Sequence, residues 1–400
     1  MESRQKVTRG HAVLGRALTA VHLGQARTRS RLTAELGVTR GTTGAVTAEL
    51  AALGLISVDT RSGGPAATQG RPSHRLAIDP HGPVVLAAQV HVDGFRVAIV
   101  GLGGEVVATT AGRRDVPADP ADVLGAAVDA GNDLLSASGR HCVGAGLAVP
   151  SAVAEPDGTA LNPLHVAWPV GAPVRAAFAE QVARAGIDAP CFVGNDVNLG
   201  ALAEHRHGAG RGATHLLVIA TGHRGVGGAF VVGGRLYTGS SGLSMEVGHL
   251  TVNPEGRPCH CGNRGCLDVE ADPPALLEAA GRVPVPDVPL LRQATDLLRD
   301  EHATDPRVRA AADTVVERLA TGLGGLVNVL NPDRVVLGGL HRHLLDLDPD
   351  RLTAFVADRS LWGRGRGVPL VGSTLAHGSL VGAAELAWQP VLDDPLGVLG

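Results

Sequence analysis

EVGHLTVNPEGRPCHCGNRGC, residues 246–266, gathers three cysteines and two histidines within 21 residues. Nine residues separate His249 from Cys259, one separates Cys259 from Cys261, and four separate Cys261 from Cys266. Three thiols and an imidazole at such short spacing can close a tetrahedron around a zinc ion. Four protein ligands leave no coordination position open, so a site of this kind holds structure and does not hydrolyse. Gly262 and Gly265 supply the permissive backbone needed to turn the sulfurs toward one another. Two alternatives stay open from the residues alone: buried free thiols, and His260 as the fourth ligand. Glu246, three residues before His249, is an acid placed to meet a ligand.

Five cysteines are an odd number, and three within eight residues suit metal ligation in a reducing compartment better than disulfides. Cys142 and Cys191 lie alone in apolar runs and read as packing residues. No stretch approaches the roughly 20 uninterrupted apolar residues of a membrane span, and residues 1–25 lack a signal-peptide pattern. A cytoplasmic protein with no membrane partner is the expectation. At 400 residues and 44% hydrophobic composition the chain is too long for one ordinary core, so two or three domains are expected.

The net charge of −4 is unevenly spread. Residues 1–80 carry 11 basic against 5 acidic side chains, and the remainder carries 24 against 34. A basic head on an acidic body suggests a segment that meets a polyanion. Within the head, apolar residues at helical spacing run through Val13, Leu14, Leu18, Val21 and Leu23, then Leu32 and Leu36, then Val46, Leu50, Leu53 and Leu55. Thr28 stands at an N-cap position, Gly37 at a tight turn, and Thr39 at the start of a third helix bearing Arg40, Thr42, Thr43 and Thr47 at its start or outer face. That order predicts a helix-turn-helix whose third helix enters a major groove. Strand alternation at Ile56–Val58 and again at Leu76–Ile78 predicts a wing, with arginines at 61, 71 and 75 near phosphates. Arg29, Thr39, Arg40, Thr42, Thr43 and Arg71 are the candidate DNA contacts. A small helical cap that touches another protein is the other reading of these residues.

From Val84 onward strands and helices alternate. Strands are expected at 84–100 and 105–110, meeting at the turn 101–104, and again at 143–149, 191–193, 216–220, 225–237 and 334–337. Helices are expected at 121–138, 173–185, 307–330 and 379–388. Such alternation with glycines at strand ends implies an α/β body that binds its ligand between two lobes.

Several segments together resemble the ROK family of repressors, open reading frames and sugar kinases: Ala148-Val149-Pro150, Gly194-Asn195-Asp196-Val197-Asn198, Gly225-Val226-Gly227-Gly228, Glu246 to His249 with the three cysteines, Asn331-Pro332 with Gly338-Gly339, and Gly382-Ala383-Ala384. The likeness spans essentially the whole chain and implies a two-lobed actin-like, hexokinase-like body behind a winged helix-turn-helix. On that division residues 1–80 form the DNA-binding domain, 81–200 with 379–400 a smaller lobe, and 201–378 a larger lobe carrying the zinc turn. Without residues 1–80 the body is then expected to keep its ligand binding.

The resemblance also implies roles. It favours His249 over His260 as zinc ligand and places Asn195, Asp196, Glu246, His249 and Asp268 around a sugar, with a further contact in 162–168. One ring nitrogen of His249 would bind metal and the other a hydroxyl. Asp268 stands where the family usually has a glutamate. In the family's kinases the aspartate at position 196 is the general base. In isolation Asn-Asp after a strand is a turn. The aligned first phosphate loop is His91-Val92-Asp93-Gly94-Phe95-Arg96, with His91 in place of an acid, Asp93 of a glycine and Phe95 of a threonine. A phenylalanine there would fill the space of phosphate oxygens, so ATP binding is expected to be lost. His223-Arg224 lie in a lengthened second glycine loop, whose glycines are expected to serve the turn.

Two readings follow. The first is a non-enzymatic, carbohydrate-responsive transcription factor with structural Zn2+, partnered by operator DNA and by a carbohydrate or sugar-phosphate effector, as a homodimer or homotetramer. The second is a sugar kinase with a regulatory head, Asp196 serving as its general base.

Overall fold

The computed structural model describes residues 2–59, 73–113, 119–154, 156–161, 163, 164, 166–222, 224–299, 304–361 and 367–400, with side chains from residue 11 onward. Three helices open the chain: α1 (Glu2–His22), α2 (Arg29–Leu36) and α3 (Arg40–Ala52). Thr28 accepts from Arg31 N–H to cap α2, which ends at Gly37 with φ 66°. Thr39 caps α3 by accepting from Thr42 N–H. Strands β1 (Ile56–Asp59) and β2 (Arg75–Ile78) pair antiparallel, Ile56 opposite Ile78 and Asp59 opposite Arg75. The wing tip, with Arg61 and Arg71, lies outside the described residues.

Two five-stranded sheets follow, and they share one plan. The first runs β5-β4-β3-β6-β7, built from β3 (Val84–His91), β4 (Gly94–Val100), β5 (Val106–Arg113), β6 (Cys142–Val149) and β7 (Cys191–Asn195). The second runs β10-β9-β8-β11-β12, from β8 (His215–Thr221), β9 (Val226–Val232), β10 (Arg235–Leu236), β11 (Arg334–Gly338) and β12 (Leu370–Gly372). Each has three antiparallel strands followed by two parallel ones. Helices lie on both faces, which is why β3 and β6 are buried almost without alternation.

The expected strand over 84–100 is two strands, because Val92 and Asp93 make a hairpin turn between His91 and Gly94. The segment 225–237 likewise divides at Gly233-Gly234 into β9 and β10. Around the sheets lie α4 (Pro120–Ser138), α5 (Val174–Arg184), α6 (Asp196–His207), α7 (Leu267–Glu270), α8 (Pro273–Ala279), α9 (Leu290–Leu297), α10 (Pro306–Leu330), α11 (Leu340–Leu347), α12 (Pro349–Arg359), α13 (Gly378–Asp393) and α14 (Pro395–Leu399).

One core joins the head to the body. Leu14, Leu18 and Val21 of α1 belong to the same buried cluster as Leu32, Leu50 and Leu55 of the head, Val85 and Val100 of the first sheet, and Trp388, Val391 and Leu392 of α13. A boundary at residue 80 therefore cuts through shared apolar packing. Residues 1–80, expected as the DNA-binding domain, thus pack against the first sheet and α13 through one continuous apolar core. No helix among the described residues is long and apolar enough to cross a membrane.

Candidate functional site

The zinc turn is assembled by backbone geometry. Gly262 and Gly265 adopt φ 91° and 65°, and a Cβ on Gly265 would lie 1.5 Å from the Asn253 carbonyl oxygen. Cys259 N–H donates to Asn263 O at 2.8 Å, and Leu267 N–H to Leu250 O at 2.8 Å, folding the cysteine loop over the short helical turn Val247–His249. The ligand atoms of His249, Cys259, Cys261 and Cys266 all fall within 4.8 Å of one another. Cys261 Sγ and Cys266 Sγ are 3.8 Å apart, and Cys259 Sγ is 3.7 Å from His249 Nδ1. With metal–sulfur bonds of about 2.3 Å, tetrahedral ligands sit about 3.8 Å from each other, so this donor set fits a zinc ion. Burial, followed by the neighbouring Cys261 and Cys259, pushes the Cys266 thiol up to about 12; a coordinated divalent cation supplies the opposing charge. His260 is exposed and outside this cluster. With Nδ1 turned to the sulfurs, Nε2 of His249 points away from them.

A cleft of about 330 Å³ lies between the lobes. Asp196, the first residue of α6, lines it together with Arg96, Arg224, Gly338-Gly339 and His377. Burial pushes the Asp196 carboxyl up to about 7, opposed by the Val197 N–H and raised further by the charge of Glu246. Burial likewise raises Glu246, which His249 pulls down and Asp268 raises. The charge of Glu246 thus acts on Asp196, and those of His249 and Asp268 act on Glu246, while Glu246 and His249 are not among the residues that line the cleft.

Asn195, expected beside a sugar, also caps a helix. Its Oδ1 accepts from Val197 and Asn198 N–H at 3.0 Å each and its Nδ2 donates to Ser151 O at 3.2 Å, capping α6 and holding Asp196 in place. Asp268 is buried, accepts from Val226 N–H at 2.8 Å, and faces a separate hollow bounded by Arg224, Arg257, His260 and Glu278. Through that bond one oxygen of the carboxylate, which is expected to meet a sugar, ties α7 to β9. Asn162 and His165, in the segment of the further expected contact, lie outside the described residues, and Trp168 is buried.

Phe95, expected to fill the space of phosphate oxygens, lies elsewhere. The hairpin pairs Val90 with Phe95 and Gln89 with Arg96, so alternate residues face opposite sides. Phe95 packs into the core, where a Cβ on Gly112 would meet its ring at 2.5 Å, while Gln89, His91 and Arg96 line the cleft. Phenylalanine does not fill the cleft; a guanidinium stands there instead, 3.5 Å from His377 Nδ1. Nor do the glycines after His223, itself outside the described residues, serve the turn alone. A Cβ on Gly227 would lie 2.5 Å from Val197, and one on Gly228 2.4 Å from Val247. Arg96 and His377 were missed from sequence, although the partner register across a two-residue hairpin turn identifies Arg96.

At the head, Arg40 and Thr42 are exposed at the N-terminal turn of α3, with Thr39 beside them. Thr43 and Thr47 are buried, and Thr43 Oγ1 donates to Thr39 O and accepts from Thr33 Oγ1, so both are corrected from outer-face to inner-face residues. Arg29 is half-buried, its backbone N–H donating to His74 O in the wing. Arg71 lies outside the described residues.

The ROK family model matches residues 86–389. The chain is 31% identical over 218 residues to a glucokinase of Halalkalibacterium halodurans, covering 50% of this chain and 64% of that protein. It is 29% identical over 215 residues to the DNA-binding transcriptional dual regulator NagC of Escherichia coli, covering 51% of each. It is 29% identical over 230 residues to a putative xylose repressor of a Caldicellulosiruptor species, covering 55% of this chain and 56% of that one. The chain thus spans about half to two thirds of the length of these relatives. In structure it is similar over 98% of both chains, with TM-score 0.75 and 22% identity, to a ROK family transcriptional regulator described as a homologue of the E. coli Mlc protein. A ROK family glucokinase from Streptomyces griseus in complex with glucose and AMPPNP matches 76% of this chain and 99% of its own, at TM-score 0.64 and 22% identity.

Proposed function

This chain belongs to the ROK family, and from that premise we propose that it is a sugar-responsive, DNA-binding regulator of transcription, a repressor of carbohydrate-metabolism genes. The observation that carries the reading is the single core shared by a basic winged-helix head and a lobe that walls an interlobe cleft. A ligand that alters that lobe alters the seat of the head. Arg40 and Thr42 on the open end of α3 read base edges, and Thr39, Arg29 and Arg71 approach the backbone. A carbohydrate or sugar phosphate binds beside Asp196, Glu246 and His249, and it weakens DNA binding only as far as it binds the two states differently. In a homodimer or homotetramer the change is read as altered spacing of the heads. The zinc turn, held by His249, Cys259, Cys261 and Cys266, fixes the tautomer and direction of His249.

The test is a thermal-shift screen of sugars and sugar phosphates, followed by mobility shift on a duplex selected from a random pool. A ligand of the folded state must raise the melting temperature. A screen in which no carbohydrate does so, or one whose hits leave DNA binding unchanged, would refute the reading.

A second reading is favoured by one observation. The Asp196 carboxyl, pushed up to about 7, sits in the cleft at a helix start and is suited to accept a proton near neutrality. On that reading the body is an ATP-dependent sugar kinase. ADP release over a hexose and amino-sugar panel, abolished by Asp196→Asn, would establish it and sink the non-enzymatic one.

A further inference from the structure

Glu385 is a carboxylate with no exposed surface inside an otherwise apolar stretch of α13. His22, the last residue of α1, approaches both its oxygens at 3.0 Å; His207 Nε2 lies 2.8 Å from Oε1, and Arg206 Nη1 donates to Oε2 at 2.6 Å. Burial alone would raise this carboxyl, but His22, His207 and Arg206 hold it well below the usual carboxylate range. Three ligating side chains so close could suggest a metal site. The other ring nitrogen of His22 argues otherwise: Nδ1 accepts the Gly103 N–H at 2.9 Å, so the ring proton is on Nε2 and points at Glu385. The cluster is a buried ion joint between head and body.

Its arms reach the cleft. Arg206 and His207 close the C-terminal end of α6, whose first residue is Asp196; Glu385 lies two turns into α13, whose Gly378 and Ser379 also line the cleft. The two helices run side by side, and at Gly382 and Gly200 no side chain separates them. A Cβ on Gly382 would fall 1.9 Å from Leu199 O, and one on Gly200 3.7 Å from Ser379. Backbones in such contact shift together or not at all. A buried charge cannot drift from its partners by degrees, since each lost partner leaves uncompensated charge out of water. A hollow of about 610 Å³ lined by His22, Arg206, Arg211 and Gln389 adjoins the joint and gives these side chains room for a second arrangement.

We propose that Glu385 is a positioning residue that couples the cleft to the head: α6 and α13, whose starts wall the cleft, bear together on one buried carboxylate that also holds the end of α1. The inference deepens the regulator reading and rests on it for its use in the cell, but its test requires neither sugar nor DNA, so the two can fail separately.

The test is hydrogen exchange, read by mass spectrometry on the full-length chain, for wild type, Glu385→Gln and His22→Gln. Coupling predicts exchange about tenfold faster in α1 and also in the remote cleft turns 196–200 and 378–382, with α10 of the other lobe unchanged. Acceleration confined to α1 and the neighbours of residue 385 would overturn the proposal, because Glu385 would then only dock the head. Acceleration spread evenly through α10 would overturn it too, as general destabilisation. If Glu385→Gln does not fold, His22→Gln decides by the same criteria, since it leaves Glu385 with Arg206 and His207. No change at the cleft turns in that variant contradicts the proposal.

Discussion

The imidazole of His22 stands 3.0 Å from both carboxylate oxygens of Glu385, with neither side chain exposed. The head is therefore part of the body's core, and its removal is not neutral. Cutting the chain after residue 80 strips α1 from Trp388, Val391 and Leu392 and leaves Glu385 without one partner. The truncated body is expected to melt lower, or to aggregate, and to lose effector binding along with DNA binding. His22→Ala in the full chain should cost about 1.5–3 kcal/mol, the range for losing a hydrogen bond to a buried charged group, because His22, with Nδ1 accepting, is a neutral donor to Glu385. Denaturant titration measures the loss; a body fragment as stable as the whole chain would contradict the shared core.

Cys259→Ser removes one of four donors and is expected to release zinc and lower the melting temperature, because metal-binding energy is folding energy. Elemental analysis of the purified variant decides: a zinc content equal to that of the wild type would rule out the assigned ligand set.

Two carboxyls act in opposite directions on the pH dependence of stability. The Asp196 carboxyl is pushed up to about 7 from an ordinary 3.8, so between those values the unfolded chain has released a proton that the folded chain retains. Its contribution to stability is full below that window and lost as pH rises through about 7. Glu385 is held low, so its contribution is present above the ordinary carboxylate range and lost as pH falls through its depressed value. Melting temperature followed against pH should lose the decline toward neutrality in Asp196→Asn and the acid limb in Glu385→Gln. Parallel curves for wild type and Asp196→Asn would show that Asp196 titrates normally.

Arg40 is exposed at the open end of α3. If it reads a base edge, Arg40→Ala should weaken binding to the selected duplex by about 1–3 kcal/mol and relax one position of the site. An equal loss on random DNA would assign it to phosphate.

Much of this arrangement is legible in the sequence where local chemistry alone decides it. Ligand spacing and two glycines with positive φ are properties of one short segment, and so are the caps Thr28 and Thr39; all of these appear in the structure at their expected positions. What stayed hidden depends on pairing between segments. The face to which Phe95 points follows from its register with Val90, and the burial of Thr43 and Thr47 from the way α3 turns toward α2. Glu385 did carry a local signal, a single acid among Val381, Ala383, Ala384, Ala387 and Trp388, but its three partners come from α1 and α6, some 180 and 363 residues away. Asn195 was identified as polar and placed at a strand end, yet whether its amide meets a ligand or caps a helix is fixed only by the direction of α6.

The central claim, that a carbohydrate in the cleft changes how the head holds DNA, is tested most directly by fluorescence anisotropy of the full-length chain on its selected duplex, at one fixed salt concentration, with and without the sugar or sugar phosphate that raises its melting temperature. The account predicts that the ligand shifts the DNA dissociation constant about 5- to 150-fold, and that DNA shifts ligand affinity by the same factor, as linkage requires. A ligand that binds tightly and leaves the DNA dissociation constant unchanged would contradict it.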